Sequence, residues 1–157
     1  MKKYGRSKEH RPNPIVELGM FMDGDGIPLT FTLVDGNRNE QTTLKPLETQ
    51  IIQDLGLSKF IVCTDAGLSS ASNRKFNDAP GRAYVTAQSL KKMKDERKKW
   101  ALDPHGWQLI GDSRVYDLDR VLEDAGSERY RHSIFYKERW FNEDGMEQKY
   151  IVTFSLK

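Results

Sequence analysis

The chain has 157 residues, 37% of them hydrophobic, which is enough to close one core and short for two independent domains, so a single globular unit is expected. Its 25 Lys and Arg nearly balance 23 Asp and Glu, which excludes a global field that would commit it to a polyanion; any nucleic-acid surface must come from local clustering. A single cysteine, Cys63, rules out an intrachain disulfide and a cysteine-rich zinc site, and no signal-peptide core or run of transmembrane length is present, so a soluble, cytoplasmic protein with no membrane partner is expected.

In chain order, residues 1–11 are a basic arm containing Lys2, Lys3, Arg6, Lys8, His10 and Arg11. An apolar stretch over 15–22 then meets Asp23-Gly24-Asp25-Gly26, and Ile27, Leu29, Phe31 and Leu33 alternate beyond it. Two strands joined by a tight Asp/Gly turn explain the pattern. Leu44, Leu47, Ile51, Ile52 and Leu55 share one helical face, with Thr43 as the N-cap, Pro46 in the first turn and Gly56 past the end. The unbroken apolar run 60–63 predicts a strand covered on both faces, in which Cys63 is a small core residue, and it ends at Thr64-Asp65-Ala66-Gly67. A short helix over 70–76 and a strand over 83–87 follow, implying a parallel crossover. A helix over 89–102 carries Lys91, Lys92, Lys94, Arg97, Lys98 and Lys99 around Leu90, Met93 and Trp100. Strands over 107–110, 133–141 and 146–156 complete the chain, the last two joined by Asn142-Glu143-Asp144-Gly145. The organisation expected is an α/β segment, 1–102, and a β-rich segment of the same domain, 103–157.

Asp65 is the leading functional candidate, because ligands gather at the carboxyl ends of strands in open α/β sheets. The plainer alternative is an Asp that only stabilises the strand-to-helix turn. Asp23 and Asp25 are turn formers; a calcium loop would require Glu where Val34 stands. His10, His105 and His132 share no ligand spacing with Cys63, which argues against zinc. Lys91, Lys92, Lys94 and Lys98, with Arg6, Lys8 and Arg11, are candidates for a DNA backbone, and Trp100 for stacking on a base. A solvated basic helix with a core-facing Trp is the competing reading.

Several segments resemble the DDE transposases of bacterial insertion sequences: residues 19–29, then Gly36-Asn37 with Glu40, Thr43 and Leu44, then 60–67, preceded by Tyr4-Gly5-Arg6-Ser7-Lys8 and His10-Arg11-Pro12. The resemblance covers residues 4 to about 100 and reaches the remainder only loosely. It implies an RNase H-like mixed sheet in which three acids hold two Mg²⁺ or Mn²⁺ ions for in-line attack on a DNA phosphate. Asp65 matches the second acid, although Ala66 stands where many relatives have Arg. The first acid belongs on a strand before the hairpin and the third, a Glu, on a helix after a β-rich insertion; neither has a match, and Glu138, Glu143 and Glu147 fall on strands or turns. The sheet is therefore expected to be incomplete, lacking its first strand and last helix. One carboxylate cannot assemble a two-metal site, so the expectation is a transposase fragment that does not cut DNA alone. The rival expectations are a non-catalytic DNA-binding or self-associating fragment and a decayed reading frame.

Overall fold

Strand β1 (Val16–Met22) turns back into β2 (Pro28–Asp35) because Asp23 and Gly26 close the turn between them. Asp23 Oδ1 accepts from the amides of Asp25 (3.0 Å) and Ile27 (2.8 Å), and Gly26 supplies a φ of 82° that L side chains rarely adopt. The carboxylate of Asp23 is thus spent on the turn. Structure is described for residues 3–4, 13–123 and 128–156 of this computed structural model, and there the chain is mixed α/β, with small sheets and several helices. It folds as two compact units, residues 1–88 and 89–157. The sequence placed the boundary after Leu102, so the basic helix read with the front segment belongs to the second unit.

In the first unit, a 3₁₀ turn at Glu40–Thr42 leads into α1 (Leu44–Asp54). Thr43 is not a side-chain cap: its backbone is already helical, and its hydroxyl donates back to the Glu40 carbonyl at 2.7 Å. Strand β3 (Phe60–Thr64) pairs in parallel with β4 (Arg82–Thr86), and α2 (Ala71–Asn77), capped by the Ser70 hydroxyl, forms the crossover. Instead of one mixed sheet, the hairpin and the parallel pair are separate two-stranded sheets. Phe21 of β1 and Phe60 of β3 touch through their rings, with centroids 6.4 Å apart.

Both sheets are covered on one face only. In β3 and β4 the covered residues are Phe60, Val62 and Thr64 with Arg82, Tyr84 and Thr86, and the Arg82 guanidinium lies 4.4 Å from the Phe76 ring of α2. Ile61, Cys63, Ala83 and Val85 face solvent. The expected strand buried on both sides, with Cys63 in the core, is therefore corrected: the helices lie against one side and nothing among the described residues covers the other. The core of this unit is Leu44, Leu47, Ile51 and Val62, with Glu48, Asn73 and Asn77 also buried. Glu48 is fully buried, and the Asn77 amide donates to both its oxygens (3.1 and 2.9 Å), joining α1 to α2. Burial pushes the Glu48 carboxyl up, partly offset by Asn77 and by the charges of Arg82 and Lys45.

The second unit begins with a 3₁₀ turn at Leu90–Lys92, and extended backbone at Met93 and Lys94 separates it from α3 (Asp95–Leu102). The single helix expected over 89–102 is thus two pieces. Strands β5 (Gln108–Leu109), β6 (Ile134–Glu143) and β7 (Met146–Ser155) form an antiparallel sheet. Asp144 and Gly145 make the β6–β7 turn with φ of 55° and 78°, the two positive values that a two-residue hairpin loop requires. Helix α4 (Leu118–Glu123) was not foreseen; at six residues it is too short for helical periodicity to register. It buries Leu118 and Val121 against Trp107 and Phe135.

Two charged groups are built into this unit. Arg97 of α3 is buried, ion-paired with Glu143, with its guanidinium 5.4 Å from the Phe141 ring and 5.5 Å from that of Tyr150. Lys137 is buried with its ammonium 4.6 Å from the Trp107 ring and 5.4 Å from that of Trp100, donating to the Asp103 carbonyl at 2.6 Å. Burial pushes the Glu143 carboxyl up, but Arg97 and the Tyr150 hydroxyl outweigh it and hold the group at about 2.

Two outcomes follow for stability. Glu143→Gln removes one member of a mostly buried pair and should cost about 2 kcal/mol at neutral pH by chemical denaturation. The wild type should lose that advantage as pH falls from the ordinary carboxyl value of 4.5 towards 2, because only the unfolded chain takes up the proton over that window. Glu48→Gln should stabilise by about 1 kcal/mol at neutral pH. Its amide removes a buried charge while the remaining oxygen still accepts from the Asn77 amide. Here the sign reverses: above 4.5 the unfolded carboxyl ionises before the folded one, so the gain should shrink as pH falls towards 4.5.

Candidate functional site

Asp65 follows the last residue of β3, at the carboxyl end of the parallel pair, and its side chain is exposed. Side-chain and backbone bonds lock the strand ends beside it: Thr64 Oγ1 donates to Thr86 Oγ1 (2.9 Å), and Thr86 Oγ1 reaches the Asp65 carbonyl (3.2 Å). Asp65 Oδ1 accepts from the amides of Gly67 (3.0 Å) and Leu68 (3.3 Å), which bends the chain towards α2. The turn-forming reading thus has its physical counterpart in this carboxylate. Oδ1 forms the turn, and Oδ2 makes neither of those bonds.

A second carboxylate stands close by. A Cβ built on Gly67 would lie 3.2 Å from Asp65 Oδ1 and 3.7 Å from Glu40 Oε2, so the two acids flank this glycine. Nothing in the local sequence pattern pairs Glu40 with Asp65, since they are 25 positions apart and Glu40 lies on a 3₁₀ turn. Asn73 joins the segments that carry them. Its buried amide donates to the Gln41 carbonyl (3.1 Å) and the Leu68 carbonyl (3.0 Å), and its own N–H is capped by Ser70 Oγ.

Mg²⁺ binds through one or two carboxylates when water and phosphate complete its octahedron, so Glu40 and Asp65 suit at most a single, weakly held ion. Among the described residues, no group of three or more His, Cys, Asp or Glu side chains is placed to hold a metal. The two-metal centre implied by the resemblance does not fit the residues present.

The basic candidates separate on inspection. Arg6, Lys8 and Arg11 lie outside the described residues. Lys91 and Lys92 are exposed on the 3₁₀ turn, while Lys94 approaches Glu143 at 3.4 Å. Lys98 and Lys99 line an open cleft of about 610 Å³ together with Asp95, Leu102, Asp103 and His105. His105 sits between Asp103 (2.8 Å) and Asp117 (3.3 Å), which raise its proton affinity. Mixed charge of this kind does not form a continuous phosphate track. Trp100 packs edge-on against Phe141 at 5.3 Å and half-shields Lys137, which gives its ring a structural task.

The chain matches no known protein family, no curated protein and no solved structure at a significant level. No helix among the described residues is long and apolar enough to cross a membrane.

Asn73→Ala would strand the Gln41 and Leu68 carbonyls and should cost about 2–3 kcal/mol. Faster amide hydrogen exchange should appear first in residues 40–43 and 66–69; unchanged exchange there would show that the two segments are held some other way.

Proposed function

We propose that this chain is part of a DNA transposase of the DDE class with an RNase H-like catalytic fold, contributing Asp65 as one metal-binding acid for phosphoryl transfer on DNA. The observation that carries the reading is the exposed carboxylate leaving a parallel strand at its carboxyl end, where α/β sheets gather their ligands. The order and spacing of the segments resembling that family support it. So does the sequence of hairpin, helix, strand, helix and strand in the first unit.

In this reading Asp65 would be one ligand of a Mg²⁺ or Mn²⁺ ion completed by acids outside the described residues, and the bound ion would supply Lewis-acid stabilisation of the attacked phosphate. The residues described here contribute a rigid loop and one open carboxylate oxygen. Lys91 and Lys92, and the arm residues Arg6, Lys8 and Arg11, would add non-specific attraction to the DNA backbone, steeply weakened by salt. Taken alone, these residues hold a divalent ion weakly and leave DNA uncut.

Paramagnetic broadening by Mn²⁺ tests the site. At millimolar metal, the amide signals of residues 40–41 and 65–68 should broaden selectively, and Asp65→Asn should remove the effect. Broadening that ignores this substitution would remove the chemical basis of the proposal. Nicking of supercoiled DNA by the purified wild type, lost in Asp65→Ala, would instead overturn the claim of inactivity. The gene's flanks give an independent check, since a transposase requires terminal inverted repeats, a strand-borne Asp upstream and a helix-borne Glu downstream.

A further inference from the structure

The β1–β2 hairpin buries the face that its sequence suits less. Glu17, Gly19 and Phe21 with Thr30, Thr32 and Val34 form the more covered face, and α1 packs against β2. Leu18, Met20, Met22, Leu29, Phe31 and Leu33 all point outward; Leu18 is 59% exposed and Phe31 65%. The register places them together, Leu18 opposite Leu33 and Met20 opposite Phe31. Such a strip, with no charged residue inside it, is the side of a sheet that ordinarily lies against another layer.

The amount of surface sets the kind of occupant. These side chains expose on the order of 650 Å² of apolar area, above the largest patch of an ordinary monomer. That area approaches the ~800 Å² per partner that a stable protein interface buries. The ends of the hairpin differ in charge. Asp23 and Asp25 occupy the turn, while Lys3, Asp35 and Arg38 lie at the opposite end. Two copies stacked antiparallel about a two-fold axis would set each acidic turn beside the other's Lys3 and Arg38, and would bury the apolar strips face to face as packed sheets do.

We propose that the exposed face of the β1–β2 hairpin is a homodimer interface, occupied by the same face of a second copy of this chain. The proposal is independent of any metal at Asp65. Met20 lies mid-strip and half-exposed, so a charge there is tolerated by a monomer and opposed by a symmetric dimer.

Sedimentation equilibrium of the full chain should give a dimer with a Kd of about 10 μM or tighter. Met20→Lys and Met20→Glu should each weaken it at least tenfold with circular dichroism unchanged. Mixing the two variants should restore a dimer, because each charge then faces its opposite across the axis. Should either variant lose its folded signal, the double substitution Met20→Thr with Phe31→Thr replaces it, and the same tenfold loss is expected, since Thr suits a strand and removes apolar area. A wild type that stays monomeric, or variants that dimerise unchanged, would overturn the assignment. So would a monomer that floats with anionic phosphatidylcholine/phosphatidylglycerol vesicles through this face.

Discussion

A fully buried carboxyl, that of Glu48, is held by the Asn77 amide and fixes α1 against α2, and the arrangement of the first unit depends on that junction. Burying an acid with a single amide donor opposes folding, and the neighbouring cations Arg82 and Lys45 only partly offset the cost. What it fixes is the helix layer. Because α1 lies on β2 and α2 on β4, each sheet has one covered face. The same layer carries Asn73, whose amide ties the Glu40 and Asp65 segments together. The candidate site and the open apolar face are thus two consequences of one packing decision.

The second unit handles charge differently. Arg97 and Lys137 are drawn inward among aromatic rings, and Lys94 is shared with Glu143. Guanidinium and ammonium groups beside ring faces recover part of their lost hydration through the ring quadrupole and through carbonyl or carboxylate partners. A run of Lys and Arg that looks in sequence like one basic surface is therefore divided between structural and solvent-facing tasks. Lys91 and Lys92 are exposed, and Lys98 and Lys99 share their cleft with Asp95 and Asp103.

At Asp65 one oxygen makes the turn and the other is open, and a single carboxylate performs both tasks without conflict. Glu40 stands alongside, and two carboxylates suit one hydrated ion at most. Phosphoryl transfer through two metals needs further acids on other elements.

Local chemistry was legible in the sequence. Asp23 and Gly26 specify the first hairpin turn, the apolar spacing of Leu44, Leu47 and Ile51 specifies α1, Ser70 starts α2, and Asp144-Gly145 closes the last hairpin, because each depends on residues a few positions apart. The break at Met93, the short α4 and the exposure of Cys63 were not legible. Nor was the meeting of Glu40 with Asp65, or the choice of which hairpin face to cover. Those depend on which element arrives against which, over separations of tens of residues, and alternation along a strand states that two faces differ without stating which one finds a neighbour. The sequence by itself determined the hairpin turns, the buried face of α1 and the carboxylate at a strand end. Only tertiary packing decided which of the remaining side chains were buried and which were left for a partner.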